Sequence, residues 1–162
     1  MRLAEVTEDN FPTAIALSVR PDQQDLVAPV VKSLAEAWLH RRHAWPRVVY
    51  DGDELVGFVM AFLDVAWPGS GDLRSGLWRL NIAADRQGRG YGRFAVEAVC
   101  AELRTRGAGQ AYVTFEGRDG GPQPFYEKLG FRLTGEELEG QAVAVRDLHV
   151  VASEPHRGSG LG

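Results

Sequence analysis

The sequence is poor in the residues that build disulfide frameworks and metal clusters. Its 162 residues contain a single cysteine, Cys100, so no disulfide can form within the chain. Cys100 lies on the apolar stripe of a predicted helix over residues 90–105, which favours a packed thiol over a nucleophile. No spacing of Cys, His or carboxylate residues typical of a metal site is present, and we expect no metal.

Long apolar runs and excess positive charge are also missing. No run approaches the roughly 18 apolar residues of a membrane span, and the N-terminus lacks a signal-peptide pattern. The net charge of −4 argues against a nucleic-acid binder, whose footprint would be basic, and is compatible with a cationic substrate. We therefore expect a cytoplasmic protein with neither a membrane nor a nucleic acid as partner.

Hydrophobic patterning predicts one domain over residues 1–152 and a disordered tail over residues 153–162. The predicted order is strand, two helices, three strands, helix, strand, helix and two strands, which indicates an α/β fold with a mixed sheet. Thr7 or Asp9 is expected to cap the first helix. The later elements are predicted at residues 45–51, 54–64, 76–83, 90–105, 111–115, 125–129, 131–138 and 141–150.

A glycine-rich stretch, residues 87–92, connects the strand that ends at residue 83 to the helix over residues 90–105. Alternating glycines permit positive φ and a close approach of backbone amides to an anion. The first N–H groups of the helix are unpaired and carry the positive end of its dipole. A phosphate or pyrophosphate therefore fits here, aided by three flanking cations, Arg86, Arg89 and Arg93.

The glycine spacing separates the candidate ligands. A P-loop requires Gly-Lys-Ser/Thr, and the dinucleotide fingerprint requires Gly-x-Gly-x-x-Gly, whereas here the glycines are Gly88, Gly90 and Gly92. A helix start with tight-turn glycines and no ligand is the alternative. The pattern Gln-x-x-Gly-x-Gly after a strand resembles the coenzyme A pyrophosphate loop of the GNAT N-acetyltransferase superfamily.

A second segment strengthens this resemblance. Residues 125–131 read Phe-Tyr-Glu-Lys-Leu-Gly-Phe and are similar to the Phe-Tyr-x-x-x-Gly-Phe hallmark of GNAT proteins. Residues 27–38, 52–60 and 77–80 resemble the bacterial spermine/spermidine N-acetyltransferase branch. The resemblance implies the GNAT fold, a mixed, mostly antiparallel central sheet flanked by helices and splayed after the central strand. It also implies direct acetyl transfer from acetyl-CoA to a primary amine in a ternary complex, and GNAT proteins are frequently homodimers.

The resemblance also assigns the acetyl-CoA contacts. The central strand contacts the pantetheine arm through its backbone, and the glycine loop holds the pyrophosphate through its amides. Many relatives carry an Asn that contacts the pantetheine about seven residues before the tyrosine, and here that position is Asp119. The residues assigned to the co-substrate are Leu80, Ile82, Ala83, Gln87, Gly88, Arg89, Gly90, Tyr91, Gly92, Arg93, Asp119 and Phe125.

Acetyl transfer requires a base and an acid. An alkylamine with a pKa near 10.4 is protonated at neutral pH, so the ammonium must lose a proton before it attacks. Tyr126 occupies the family's tyrosine position and is the candidate donor to the leaving thiolate; a buried tyrosine that anchors a helix is the alternative. Many relatives place a carboxylate on the central strand, but residues 77–83 carry none, which leaves Glu116 or a water relay to it. Glu116 is otherwise a solvated strand-end carboxylate.

A polyamine acceptor requires separated carboxylates and aromatic surface. The family fold places Glu36, Trp38 and Asp64 near the acceptor groove, and Trp78 is a candidate for its lining. An exposed helix face for Glu36 and a core position for Trp78 are the alternatives. His40 and His43 read as the solvated basic end of a helix. Other acceptors, namely an aminoglycoside, an amino acid or a protein N-terminus, stay open, as does a CoA-binding sensor without turnover.

Overall fold

The computed structural model describes residues 1–149. Within these residues, seven strands form one sheet that is flanked by four α-helices. The strands are β1 (Arg2–Ala4), β2 (Ala44–Asp51), β3 (Glu54–Ala66), β4 (Leu73–Ile82), β5 (Gln110–Phe115), β6 (Arg132–Leu138) and β7 (Gln141–Asp147). The helices are α1 (Phe11–Ala16), α2 (Val30–Leu39), α3 (Tyr91–Thr105) and α4 (Gln123–Lys128).

The sheet is mixed and mostly antiparallel, as the sequence predicts. Its strand order is β1-β2-β3-β4-β5-β7-β6. β4 and β5 are parallel neighbours, because α3 connects them and returns the chain to the same end of the sheet. The other neighbouring strands of the described sheet pair antiparallel.

The parallel pairing of β4 with β5 is short and ends inside β4. Among the described residues it consists of Gly76 opposite Tyr112 and Leu77 opposite Val113. On the other side of β4 the register with β3 shifts at the next residue, so Trp78 lies in a β-bulge. Because a bulge bends its strand, residues 78–82 leave β5 and open a cleft between the two strands.

The sheet has a hydrophobic cluster on each face. On one face, α3 and α4 pack on the sheet around Val59, Val96 and Leu103. On the other, α1 and α2 pack around Phe58 and Met60. Cys100 belongs to the first cluster and is 1% exposed, so the structure agrees with the packed thiol expected from the sequence. Burial raises the pKa of this thiol.

Several element boundaries differ from the prediction. β3 runs past the predicted end at Asp64, which has a positive φ of 49° beside a register shift. The first helix begins at Phe11 with Asn10 at its N-cap position, and Asn10 makes no side-chain cap bond there. Thr7 caps the turn before it, as predicted, because its hydroxyl accepts from the Asn10 N–H while the Asn10 side chain accepts from the Thr7 N–H. β4 begins at Leu73 and α4 at Gln123, both earlier than predicted. β7 ends at Asp147, before the predicted end at residue 150. The predicted tail lies outside the described residues. Within residues 1–149, no helix is long and apolar enough to cross a membrane.

Gly76 is the residue on which the short parallel pairing depends. A Cβ added there would lie 1.9 Å from the carbonyl oxygen of Tyr112, so the two backbones must separate. We expect Gly76→Ala to lower the free energy of unfolding by roughly 2–3 kcal/mol, measured by urea denaturation. Gly109→Ala is the matched control, since a Cβ there meets nothing within 4 Å. Equal stabilities of the two variants would contradict this account of the sheet.

Candidate active site

The cleft between the splayed strands is the site to which the sequence motifs converge. It has a volume of about 1380 Å³ and lies between the second half of β4 and the end of β5. Its other walls are the loop at residues 19–29, α2 and the turn after it, the glycine loop before α3, α4 and the β6–β7 turn. The glycine loop and Tyr126, nearly 40 residues apart in the sequence, thus line one continuous cleft.

The glycines of the loop are required for different physical reasons. Gly88 and Gly90 have φ values of 76° and 86°, and a Cβ on either would meet nothing within 4 Å. They are needed for the backbone conformation, and the space above them is open. Gly92 lies within α3, where a Cβ would come within 3.3 Å of the Phe125 ring. Because the first helical bond joins the Phe94 N–H to the Gly90 carbonyl, the preceding amides remain available to an anion.

Contacts from distant segments hold the loop in place. The Gln87 side-chain amide donates to the Ile82 carbonyl at 3.1 Å. The Tyr91 hydroxyl donates to the Asp51 carboxylate, and this hydrogen bond raises the pKa of Tyr91. Arg86 pairs with Glu54. The β2–β3 hairpin therefore anchors the glycine loop, and Arg86 is engaged there rather than free for a phosphate.

Tyr126 is held in the cleft wall by aromatic contacts. Its ring stacks on Phe115 at 5.6 Å between centroids, with Phe125 and Phe131 packed edge-on. The residue is 7% exposed, and burial raises the pKa of its phenol above the usual range for tyrosine. Tyr126 therefore presents a neutral phenol to the cleft, the protonation state that a proton donor requires.

Glu116 lies in the cleft wall just after β5 and is exposed. Its carboxylate is 3.5 Å from the Arg118 guanidinium. The same guanidinium forms a forked pair with Asp25 at 3.1 Å, which joins the loop after β5 to the loop before α2. Glu116 is therefore a partly neutralised carboxylate at the rim of the cleft.

Glu36 also reaches the cleft wall, but it is already paired. Its carboxylate accepts a hydrogen bond from the Arg79 guanidinium of β4 at 3.0 Å. Arg79 is 19% exposed, and burial lowers its pKa while Glu36 opposes that shift. Arg79 Nε is buried without a partner among the described residues. This side of the cleft therefore carries a compensated ion pair, not an open carboxylate.

Trp78 lines the cleft, whereas two other predicted acceptor residues do not. Trp38 is 70% exposed on α2, where its ring lies against the Arg41 guanidinium. Asp64 is exposed at the β3 register shift and is also absent from the cleft wall. The structure thus brings Glu36 and Trp78 to the cleft but leaves Trp38 and Asp64 outside it.

Comparison with known proteins identifies the family. The sequence matches the model of the Acetyltransferase (GNAT) family over residues 4–131, which is most of the chain. The chain belongs to the GNAT acetyltransferase family. The superfamily and fold class expected from the two motifs are thereby confirmed. No curated protein gave a sequence match.

Solved structures share the fold. An acetyltransferase from Thermus thermophilus is 27% identical, with a TM-score of 0.69 over 91% of this chain and 96% of that one. A ribosomal-protein-alanine N-acetyltransferase from Brucella melitensis is 18% identical, with a TM-score of 0.68 over 91% and 100% of the chains. The PaiA N-acetyltransferase from Thermoplasma acidophilum, in complex with coenzyme A, is 10% identical, with a TM-score of 0.65 over 90% and 98%.

The GNAT fold binds acetyl-CoA, and the cleft fits this co-substrate. The edge of β4 that faces away from β3 has no strand partner beyond Leu77 among the described residues, so it is open to an extended arm. The open space over Gly88 and Gly90 suits a pyrophosphate. The predicted co-substrate residues that line this cleft are Leu80, Ile82, Gln87, Gly88, Gly90, Tyr91, Gly92, Arg93 and Phe125.

Three predicted co-substrate residues lie outside the cleft wall. The Ala83 N–H donates to Val56 and its carbonyl accepts from Arg86, each at 2.9 Å, so its backbone has no free group for the pantetheine. Arg89 and Asp119 are exposed on their loops. Because Asp119 lies outside the cleft wall, the Asn contact of the family has no counterpart at this position.

Sequence reasoning missed Arg79 and underrated the two histidines after α2. His40 and His43 both line the cleft, although the sequence favoured a solvated helix end. The His43 Nδ1 atom is 2.7 Å from the Leu63 carbonyl oxygen, and the His40 ring lies edge-on to Trp78. Only the strand register could have revealed these contacts. Among residues 1–149, no group of three or more His, Cys, Asp or Glu residues could hold a metal ion.

The left-handed conformation of Gly90 provides a test of the loop. We expect Gly90→Ala to raise the Kd of coenzyme A at least about fivefold, because alanine resists this conformation by about 1 kcal/mol. Isothermal titration calorimetry measures the Kd. Gly107→Ala is the control, since Gly107 has a similar φ of 85° at the other end of α3 and also has open space around it. A Kd that is raised equally in both variants would show strain without a loop-specific role.

Proposed function

We propose that this GNAT enzyme acetylates a primary amine of a small cationic acceptor, a polyamine such as spermidine or spermine, by direct transfer from acetyl-CoA. The observation that carries the proposal is the neutral Tyr126 phenol in the wall of the cleft. The Tyr126 ring stacks on Phe115 at the end of β5, near the gap between β4 and β5.

The cleft supports direct transfer rather than an acetylated cysteine. Cys100, the single cysteine, is buried on the core-facing side of α3 and is absent from the cleft wall. The amine nitrogen therefore attacks the thioester carbonyl itself, and both substrates occupy the cleft together. As the C–S bond breaks, the Tyr126 hydroxyl donates its proton to the departing sulfur, and the surplus proton of the new amide nitrogen restores the phenol through water.

The distribution of charge in the cleft wall supports a cationic acceptor. Glu116 and Glu139 are carboxylates on two different elements of the wall, and Trp78 adds an aromatic face. Glu139 is exposed and makes none of the ion pairs found within residues 1–149. A long amine can thus place one ammonium near Glu139 while the other end reacts. Glu36, which is neutralised by Arg79, is not needed for this role.

The acceptor is identified by an activity panel. Release of CoA thiol from acetyl-CoA is measured with spermine, spermidine, short diamines, an aminoglycoside, an amino acid and short peptides. Preferential turnover of polyamines supports the proposal. Preferential turnover of another amine supports acetyl transfer but identifies that amine, not a polyamine, as the acceptor. Tight acetyl-CoA binding with no turnover of any amine favours a sensor function.

Tyr126→Phe tests the proton donor. We expect kcat to fall at least tenfold, which corresponds to about 1.4 kcal/mol, with little change in acetyl-CoA affinity, because the ring packing is kept and only the hydroxyl is lost. Steady-state kinetics and calorimetry measure the two quantities. Tyr112→Phe is the matched control, since Tyr112 lies outside the cleft wall and its hydroxyl donates to Gln110. An unchanged kcat in Tyr126→Phe would remove the phenol from the mechanism.

Glu139→Gln tests the acceptor class. We expect KM for spermidine to rise about threefold to tenfold, while KM for a monoamine of similar length stays within twofold, because only the polyamine has a second ammonium to pair with this carboxylate. Glu137→Gln is the control, since Glu137 is exposed on β6 outside the cleft wall. Equal KM changes for both amines would argue against recognition of a second cation.

A further inference from the structure

The central strand of this enzyme carries no carboxylate that could act as a base, so the group that deprotonates the acceptor must come from elsewhere in the cleft wall. We propose that His43 is this general base and that it acts through Nε2. The inference rests on the proposed acetylation of an amine and assigns a further catalytic residue to the same cleft.

Most carboxylates in the cleft wall are already ion-paired. Four of them are engaged with guanidinium groups: Asp22 with Arg20, Asp25 and Glu116 with Arg118, and Glu36 with Arg79. The oxygens of these carboxylates are therefore already engaged and are not free for the ammonium of an acceptor. The fifth, Glu139, lies in the exposed β6–β7 turn. An imidazole, moreover, is the side chain that most often transfers protons in enzymes.

The tautomer of His43 is set by the contact of its ring with a backbone carbonyl. Its Nδ1 atom is 2.7 Å from the Leu63 carbonyl oxygen. A carbonyl oxygen can only accept, so Nδ1 carries the hydrogen and Nε2 of the neutral ring has the free lone pair. His40, in contrast, contacts the edge of Trp78 with its ring. Of the two imidazoles in the wall, His43 is therefore the one whose basic nitrogen is defined by the fold.

The position of His43 at the edge of the sheet is fixed by backbone hydrogen bonds. The backbone of His43 is fixed twice, because its N–H donates to the His40 carbonyl at 2.7 Å and its carbonyl accepts from the Leu63 N–H at 2.8 Å. The next residue, Ala44, is paired with Phe62 of β3, and Phe62 is paired with Gly76 of β4. Gly76 lies just before the point where β4 separates from β5. β2 and β4 are two strand spacings apart, roughly 10 Å. His43 and Trp78 of β4 line the same cleft, so the imidazole and an amine bound beside β4 share one space.

The proton balance follows from these positions. The ammonium of the acceptor gives one proton to His43 Nε2, directly or through a water molecule, and its nitrogen gains a lone pair. That lone pair forms the C–N bond while the C–S bond breaks, Tyr126 protonates the sulfur, and the amide nitrogen then loses its surplus proton, which returns through water to the Tyr126 phenolate. The imidazolium then releases its proton to solvent, to which the exposed His43 has access. One proton leaves for each acetyl group transferred.

His43→Asn separates the base from the structural role of the ring. The Asn amide retains a donor for the Leu63 carbonyl but has no basic nitrogen. At pH 7.5 we expect kcat/KM for the best amine of the panel to fall about 100-fold, with acetyl-CoA affinity within twofold of wild type. The deficit shrinks as the pH approaches the pKa of the amine. His149→Asn is the control, because His149 is exposed and outside the cleft wall.

Chemical rescue completes the test. In His43→Ala, free imidazole in the assay restores turnover several-fold, which a purely structural role would not allow; this result also decides the question if His43→Asn folds poorly. The proposal is overturned if His43→Asn keeps more than half of the wild-type kcat/KM, or if imidazole does not rescue His43→Ala. It is also overturned if His40→Ala, and not His43→Ala, shows a loss of turnover that imidazole restores. These outcomes leave amine acetylation intact. A wild-type enzyme that acetylates no amine overturns the proposed function and this inference with it.

Discussion

The structure depends on the point at which β4 parts from β5. Gly76 permits the close parallel contact with Tyr112, and two residues later the bulge at Trp78 bends β4 away. This combination leaves a strand edge unpaired in the middle of a sheet, a position where unpaired backbone groups would normally be costly. The unpaired edge is also what makes the cleft useful, because an extended acyl carrier can complete the pairing.

The charged groups of the cleft wall are mostly paired with one another or with neighbouring residues. Arg79 of β4 pairs with Glu36 of α2, and Arg118 pairs with Asp25 and Glu116 in the loops beside the cleft. Tyr126 is kept protonated by burial, and the His43 ring is oriented by the Leu63 carbonyl. The cleft wall therefore combines paired charges with a buried phenol and an oriented imidazole.

Local signals carried most of the successful prediction. The glycine loop, the helix after it and the aromatic segment at Tyr126 were predicted because φ preferences, helix starts and apolar periodicity are properties of a few neighbouring residues. The same reasoning assigned Cys100 to the core. It failed at Asp64, where β3 continues through a register shift, and at Trp38, whose apolar ring lies at the surface against Arg41. Residues adjacent in the sequence do not indicate a register shift or an exposed tryptophan ring.

The sequence by itself predicted the GNAT family, the glycine turn and the helix that follows it, because each depends on contiguous residues with characteristic backbone demands. The tertiary structure alone decided the buried setting of Tyr126, whose ring stacks on Phe115, and which charges of the cleft wall are paired. Glu36 meets Arg79 across 43 residues, and His43 meets Leu63 across 20. Such pairings depend on strand register, and a shift of one residue moves a side chain to the opposite face of the sheet.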